Sequence, residues 1–551
     1  MASSLTPQQF VANWNQIQLK ETAAAASHFD DVCRLVGHPP PHVADPKGEF
    51  FTREMSTEKT GGQRGRADVY YQGKFIWEYK GPHADLDKAY QQLLLYREAL
   101  GNPPLLITSD LRRIIIHTNF TNTVKQVHEI DFERIARGDG VEVLRRAFYN
   151  PQSFRPAQTQ EQVTRATAAT FVGVVNTLRQ WSAAEHRDHD PERLAHFIIR
   201  LLFCLFAEDM DLLPNHVFTR LVEMQGRHYY RFVDSLRSLF AAMRDGGVFG
   251  TEYIPYFDGS LFDDNFVPEL PGDIVEELLK AARQDWSAID PSIFGTLFER
   301  VIDEEKRAQL GAHYTSKDDI MLIVEPVLMR LLRDKWQTVK NEVRPLLAAN
   351  GSRGEGVQGS GGEGVRRQEA YERLRGFAEE IARVRVLDAA SGSGNFLYVA
   401  LRQLLDLQKE VIAFAGRYGL PDIPLTVSPA QLYGIEINPY AHELAQVTVW
   451  IGYIQWRKEN GFAEIEEPIL RPLRNIRRMD AILAYDEDGN PVEPEWPEVD
   501  VVIGNPPFLG GNRIRQELGD EYVDKLFELY EGRIPAFSDL VCYWFDKARR
   551  Q

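Results

Sequence analysis

The chain has 551 residues, a length that suggests two to four domains. Its 44% hydrophobic and 26% charged residues are those of a soluble globular protein, and no apolar stretch approaches the length of a membrane span. The formal net charge of -17 excludes a chain that is basic throughout. Any phosphate contacts must come from local patches such as Arg64–Arg66, Arg112-Arg113 and Arg471–Arg478, each of which reads singly as solvated surface. The 3 cysteines, Cys33, Cys204 and Cys542, lie too far apart in sequence to suggest a disulfide framework or a metal-ligand pair. The start, Met1-Ala2-Ser3-Ser4, does not read as a signal or transit peptide, so a reducing cytoplasm is the expected location.

Residues 1–155 mix helix and strand. Gln16 to Val36 has helical spacing, and Val69–Tyr71 and Phe75–Tyr79 read as strands around a Gln72-Gly73 turn. A helix is expected over Asp85 to Leu100, followed by strands Leu105–Thr108 and Arg113–Thr118. Strand alternation puts Glu78 and Lys80 on one side and Phe75, Trp77 and Tyr79 on the other. The hairpin can bring Asp68 to Glu78, and two carboxylates at that range repel unless a cation lies between them. Oxygen ligation of this kind suits Mg²⁺, so Asp68 and Glu78 are the candidate metal ligands. Lys80 is the candidate group for stabilising a hydroxide that attacks a phosphodiester. The plainer alternative is a solvent-facing strand of mixed charge. Gly81 stops the strand, and Gln92 and Tyr96 share a helix face beside it. Glu21 is a further candidate carboxylate, as readily an exposed helix acid. Asp68, Glu78 and Lys80 in this order resemble the PD-(D/E)XK nuclease core, which implies metal-dependent DNA cleavage.

Residues 156–305 are helical in pattern. Leu194 to Phe206 is a long apolar helix, and Phe232 to Met243 and Ile274 to Ala282 have helical spacing. The residues there suggest no catalytic cluster, and the segment reads as a spacer or scaffold.

Residues 306–551 alternate helix and strand. Leu310-Gly311-Ala312-His313-Tyr314-Thr315-Ser316 precedes an apolar helix that Thr315 or Ser316 can cap. Asn350 to Gly364 is rich in Gly, Ser and Glu and reads as a flexible loop. Three short apolar strands, Val384–Leu387, Leu432–Ile435 and Val499–Ile503, are separated by helices, the pattern of a parallel doubly wound sheet. After the first strand comes a glycine turn, Asp388-Ala389-Ala390-Ser391-Gly392-Ser393-Gly394-Asn395-Phe396. Its glycines allow close approach of a ligand, and a carboxylate at a strand's carboxyl end suits a cationic amino acid better than a pyrophosphate. That favours S-adenosylmethionine over a dinucleotide, with Asp388, Ser391, Gly392, Gly394, Asn395 and Phe396 as candidate contacts. A plain tight turn is the alternative. Glu436, ending the second strand, is placed for ribose hydroxyls, Asp480 for the adenine amino group, and the turn at Tyr314-Thr315 for the methionine end. The third strand runs into Asn505-Pro506-Pro507-Phe508. Here the Asn505 side chain and the Pro506 carbonyl can accept from the exocyclic amine of a flipped base, and Phe508 can stack on it. The plain alternative is a surface turn.

In this order the motifs resemble the gamma-class amino DNA methyltransferases. The resemblance implies methylation of an exocyclic amine, most often adenine N6, with Ser391 standing where that group commonly has Cys. The whole chain resembles the type IIL, MmeI-like restriction-modification enzymes. Further likenesses are Phe206-Ala207-Glu208-Asp209, Ile293-Phe294-Gly295-Thr296-Leu297-Phe298-Glu299 and Asp539-Leu540-Val541-Cys542-Tyr543-Trp544-Phe545. The fold class expected is α/β multidomain: a PD-(D/E)XK core (1–155), a helical spacer (156–305) and an incomplete Rossmann-like class I methyltransferase (306–551). The resemblance implies double-stranded DNA as substrate, Mg²⁺ and S-adenosylmethionine as cofactors, and pairing of protomers on DNA for a double-strand break. A complete sheet of this type needs about three more strands and then a target-recognition domain. Strand Val499–Ile503 is thus expected to be a bare apolar edge, with a second chain or a missing C-terminal portion supplying the rest. Two alternatives are a standalone methyltransferase with an inert first segment, and a cofactor-binding subunit without chemistry of its own.

Overall fold

A computed structural model describes residues 5–15, 21–58, 64–81, 85–184, 191–225, 229–257, 260–270, 272–295, 315–348, 360–462, 469–510 and 513–551. Near the start, Thr6 caps α1 (Pro7–Trp14) through a reciprocal box with Gln9, and α2 (Glu21–Val36) follows. Then comes a six-stranded sheet whose spatial order is its chain order: β1 (Phe51–Glu58), β2 (Arg64–Tyr71), β3 (Phe75–Tyr79), β4 (Leu105–Ser109), β5 (Ile114–Thr118) and β6 (Val127–Ile130). Gly73, at φ 69°, makes the expected β2–β3 turn. β3 and β4 are parallel and every other neighbouring pair antiparallel. Parallel neighbours need a crossover, which α3 (Leu86–Tyr96) provides.

The helix expected to reach Leu100 stops at Tyr96. Gly101 and Asn102 are left-handed, and Pro103-Pro104 follow, so the chain turns into β4. On one face of the sheet Phe75, Trp77 and Tyr79 pack with Phe29, Phe51 and Phe148; on the other Ile76 packs with Leu93, Leu94 and Leu106. β3 thus shows the alternation its sequence dictates.

The middle of the chain is helical: α4 (Gln160–Ala184), α5 (Pro191–Asp209), α6 (Val217–Gln225), α7 (Tyr229–Asp245) and α8 (Gly272–Ala282). Arg200 is only 1% exposed inside this bundle. It is neutralised by Asp264 at 2.6 Å and by the carbonyls of Leu261 and Phe266, as a buried cation requires.

Next come α9 (Lys317–Val324), a π-helical turn (Glu325–Met329), α10 (Arg330–Ala348) and α11 (Ser360–Arg383). Residues 360–364, expected in a loop, are helical. Once α11 is nucleated, elongation adds one hydrogen bond per residue and carries through weak helix formers. The rest of that loop lies outside the described residues. The second sheet has the order β9-β8-β7-β10, all parallel, from β7 (Val386–Asp388), β8 (Leu432–Glu436), β9 (Ile476–Arg478) and β10 (Val501–Ile503). β10 is the outer strand, but its faces are not bare. Ile503 is buried, Val501 packs on the core shared with the π-helical turn, and Val502 packs with the C-terminal helices.

Two helices set the frame, α12 (Asn395–Arg417) and α13 (Pro439–Glu459). Ala441, Leu444, Val447, Ile451 and Ile454 of α13 join the helical bundle's core, while Ala445, Val449 and Trp456 join the sheet's. A helix apolar on both sides is a buried helix, and here it fuses two segments that read as separate in sequence. Where α13 crosses α12, a Cβ on Gly452 would come within 2.2 Å of the buried Tyr398 ring. Gly452→Ala gains about 1 kcal/mol of helix propensity but overpacks a filled core, at a cost of about 1–3 kcal/mol. The expected result is net destabilisation, read as a lower urea midpoint.

Candidate functional sites

In the parallel sheet the chain builds β7, β8 and β9 outward and then returns to the opposite flank for β10. The reversal leaves a crevice at the carboxyl ends of β7 and β10, where open α/β sheets bind ligands. Asp388 is in register with Ile503 on one side and Gly434 on the other. Gly504 takes φ 145°, and a Cβ there would stand 2.4 Å from Asp388 Oδ1, so only glycine lets β10 turn past this carboxylate.

The glycine turn is held from below. Ser391 N–H donates to Ile435 O (3.0 Å), Gly394 N–H to Ser391 O (2.8 Å) and Gly392 N–H to Glu436 Oε2 (2.8 Å). Gly394, at φ 83°, lies against Ala445 of α13. Asp388 is 1% exposed. Burial pushes its carboxyl up to about 7; the Ala390 N–H opposes this and the charge of Glu436 adds to it. Glu436 is raised by burial too, against donation from the N–H groups of Asn438 and Gly392. Asp388 Oδ2, Ser391 Oγ and Asn395 Oδ1 are buried and have no hydrogen-bond partner among the described residues. Orphaned acceptors beside two carboxylates are what a cationic, donor-rich ligand would satisfy, so the donor set fits S-adenosylmethionine. Phe396 is buried in the sheet's core.

Asp480 stands just beyond β9, its carboxylate accepting from Ile482 N–H (2.8 Å), Leu483 N–H (3.2 Å) and the Tyr522 hydroxyl (2.7 Å). Sequence reading missed Tyr522, for which no local signal exists. Asn505 and Phe508 are exposed in the turn after β10, flanked by half-buried Pro506 and Pro507. Asn505 Nδ2 donates to Thr315 Oγ1 at 3.2 Å, joining two motifs 190 residues apart. Ser316 caps α9 by accepting from Asp319 N–H. Tyr314 lies outside the described residues. The tail helix α14 (Val541–Arg550) braces the same corner, with Trp544 Nε1 donating to Ala389 O (2.9 Å) and Asp539 accepting from Leu509 N–H (3.0 Å).

In the antiparallel part, the β2–β3 register pairs Val69 with Trp77; continued by one residue, it sets Asp68 across from Glu78. Glu78 is 4% exposed. Its Oε1 accepts from Lys80 Nζ (2.9 Å) and Gln92 Nε2 (2.8 Å), and Gln92 also reaches the Tyr96 hydroxyl (2.8 Å). Asp68 Oδ2 accepts from the Tyr79 N–H (2.6 Å). Tyr96 is pushed up to about 12, by burial first and then by the charges of Glu78 and Asp68. Two carboxylates and a lysine gathered in this way fit a divalent cation held by oxygen ligands. The side chain of Glu21 lies outside the described residues.

Glu208, Asp209 and His216 form a trio that sequence reading missed, with ligand atoms within 4.8 Å of one another. Both acids already hold backbone: Glu208 accepts from the N–H groups of Phe218 and Thr219, Asp209 from Trp286. Among the basic patches, Arg113 is committed to Asp110 (3.0 Å), whereas Arg474, Arg477 and Arg478 are exposed. Among the described residues no helix is long and apolar enough to cross a membrane.

Fold and site define an α/β protein with a DNA-methyltransferase domain of the restriction-modification type. Residues 365–551 match the MmeI DNA-methyltransferase domain, and residues 192–262 match the MmeI helicase spacer domain. The chain is MmeI-like in these segments. DNA methyltransferase A of Bacillus subtilis (strain 168) is 28% identical over 369 residues, covering 63% of this chain and 37% of that protein. A putative type II restriction enzyme and methyltransferase of Methanocaldococcus jannaschii is 25% identical over 295 residues, 46% of this chain and 24% of the relative. The solved structure of the type IIL restriction-modification enzyme MmeI in complex with DNA is similar in fold, with a TM-score of 0.52 at 24% identity over 70% of this chain and 48% of that one. The chain spans less than half the length of each of these relatives.

The raised carboxyl of Asp388 gives a pH signature. Its folded-state value of about 7 lies above the ordinary 3.8, so the folded protein binds the extra proton between them, and stability falls as pH rises through that window. Asp388→Asn should therefore raise the melting temperature of the ligand-free protein, more at pH 8 than at pH 5, as read by calorimetry.

Proposed function

We propose that the chain is a bifunctional restriction-modification protein, methylating adenine N6 in double-stranded DNA and cleaving DNA with Mg²⁺. The observation that carries the first half is the Asn505–Thr315 hydrogen bond at the crevice of Asp388 and Glu436. With Nδ2 committed to Thr315, the Asn505 Oδ1 is left as the acceptor for a target amine, beside the Pro506 carbonyl. Two such acceptors draw the amine's protons out of the ring plane and release its lone pair. Phe508, 66% exposed, offers a face on which the everted base stacks. S-adenosylmethionine supplies the electrophilic methyl group. Asp388 would hold its ammonium and Glu436 its ribose, with Ser391, Gly392, Gly394, Asn395 and Phe396 in the turn and helix start beside them. Asp480 would receive the adenine amine through a carboxylate already oriented by Tyr522.

The second half rests on Asp68, Glu78 and Lys80. Asp68 and Glu78 would hold Mg²⁺, which supplies charge and a polarised water for phosphodiester attack. Lys80 is oriented by Glu78 and by Gln92 Oε1 (3.3 Å), so its ammonium is aimed where a nucleophile would form. One centre per chain cuts one strand, so a double-strand break calls for two chains meeting on DNA.

Asn505→Ala is expected to lower methyl transfer to adenine by about 100-fold or more while leaving binding of sinefungin, an unreactive analogue of the methyl donor, within about twofold. Retention of transfer by the variant overturns the role of Asn505, and absence of adenine methylation by the wild-type chain overturns the adenine assignment. Glu78→Ala and Lys80→Ala are each expected to abolish Mg²⁺-dependent nicking of plasmid DNA without affecting methylation. Nicking that survives both overturns the nuclease assignment.

A further inference from the structure

The bundle between the two sheets does more than separate them. Its last described stretch, Trp286 to Gly295, is pinned from several directions. Trp286 N–H donates to Asp209 (2.7 Å), and Asp290 N–H donates to Thr164 Oγ1 (3.2 Å). Gln455 of α13, 2% exposed, donates its amide to the carbonyls of Ser287 (3.2 Å) and Ile289 (2.8 Å). Lys317 of α9 pairs with Asp290 at 3.5 Å. Asp290 and Pro291 carbonyls then accept from Ile293 and Phe294 in a tight turn that delivers Gly295.

Gly295 is buried, and what it meets is the glycine turn of the other segment. A Cβ on Gly295 would stand 2.3 Å from Ser393 Oγ, 3.2 Å from Ser393 Cβ and 3.2 Å from Asn395 Nδ2. Ser393 is bracketed by Gly392 and Gly394, both left-handed. Asn395 opens α12 with its Oδ1 unpartnered among the described residues. The backbone of Gly295 is not left-handed, so alanine is conformationally admissible there and the demand for glycine is one of space alone.

We propose that Gly295 is a positioning residue for the methyl-donor site: its bare Cα is the stop against which Ser393 and Asn395 rest, so that the helical bundle sets the shape of the cofactor turn. The inference builds on the cofactor reading of that turn. It gives the bundle a part in binding, acting through Ser393 and Asn395 rather than by touching the ligand.

The test is titration of sinefungin into the full chain by calorimetry, with thermal unfolding in parallel. Gly295→Ala is expected to weaken binding about tenfold, equivalent to about 1.4 kcal/mol, while unfolding stays cooperative. Adding Ser393→Ala to that variant removes the clashing oxygen and is expected to restore binding to within about twofold of wild type. Equal binding by wild type and Gly295→Ala overturns the role of Gly295 and leaves the cofactor site standing. A loss that Ser393→Ala does not recover overturns it too, since a defect spread through the bundle would not be cured by deleting one hydroxyl. Absence of sinefungin binding by the wild-type protein overturns the cofactor reading and this inference with it.

Discussion

Two carboxylates at the carboxyl ends of adjacent parallel strands, Asp388 and Glu436, constrain everything around them. Both are raised by burial, and among the described residues no cationic side chain is hydrogen-bonded to either. Removing an ionised carboxylate from water is unfavourable unless something replaces the lost solvation. Here the replacement is partial: the N–H of Ala390 donates to Asp388, and the N–H groups of Gly392 and Asn438 donate to Glu436. The positive φ angles at Gly392 and Gly504 accompany backbone that passes close to these acids.

That strained corner is rigid because its supports are shared. α13 begins at the cap of Asn438, two residues beyond Glu436, and contributes apolar faces to two cores at once. Its far end meets the antiparallel part. Asn460 accepts from Arg97 (3.3 Å) and Lys409 (2.9 Å), Lys409 pairs with Glu98 (2.6 Å), and Gly461 abuts Leu95. Leu95 and Arg97 flank Tyr96, whose hydroxyl accepts from Gln92, the same amide that donates to Glu78. One continuous helix therefore runs from the carboxylate proposed for the cofactor ribose to the helix that orders the candidate metal centre.

Much of this was legible in the chain. Period-two alternation in Phe75–Tyr79 gave the correct faces, and the spacing of Gln92 and Tyr96 put them on one helix face, where they are hydrogen-bonded, because local periodicity translates directly into geometry. Three apolar strands, two of them ending in an acid, gave a parallel sheet and its crevice. What stayed hidden depended on contacts remote in sequence. Tyr522 on Asp480 and Gly295 under Ser393 carry no local signature. β1 was overlooked because Thr52-Arg53-Glu54-Met55-Ser56-Thr57 is largely polar and becomes a strand by pairing with β2. The acidic total charge misled least where it was set aside: Arg113 is spent on Asp110, while the arginines beside β9 remain at the surface.

The shared ends of α12 and α13 bear on how such a chain can be recombined. Lys409 and Asn460 bind the side chains of Glu98 and Arg97, and the backbone of Gly461 lies against Leu95. A crossover placed in any of the connecting segments would inherit one half of that handshake without the other. Residues 91–98 and 409–461 thus form a unit of heredity that no boundary drawn along the sequence respects. Chimeras that preserve it have a physical reason to fold, and those that split it leave the Lys409 ammonium facing an unfamiliar surface.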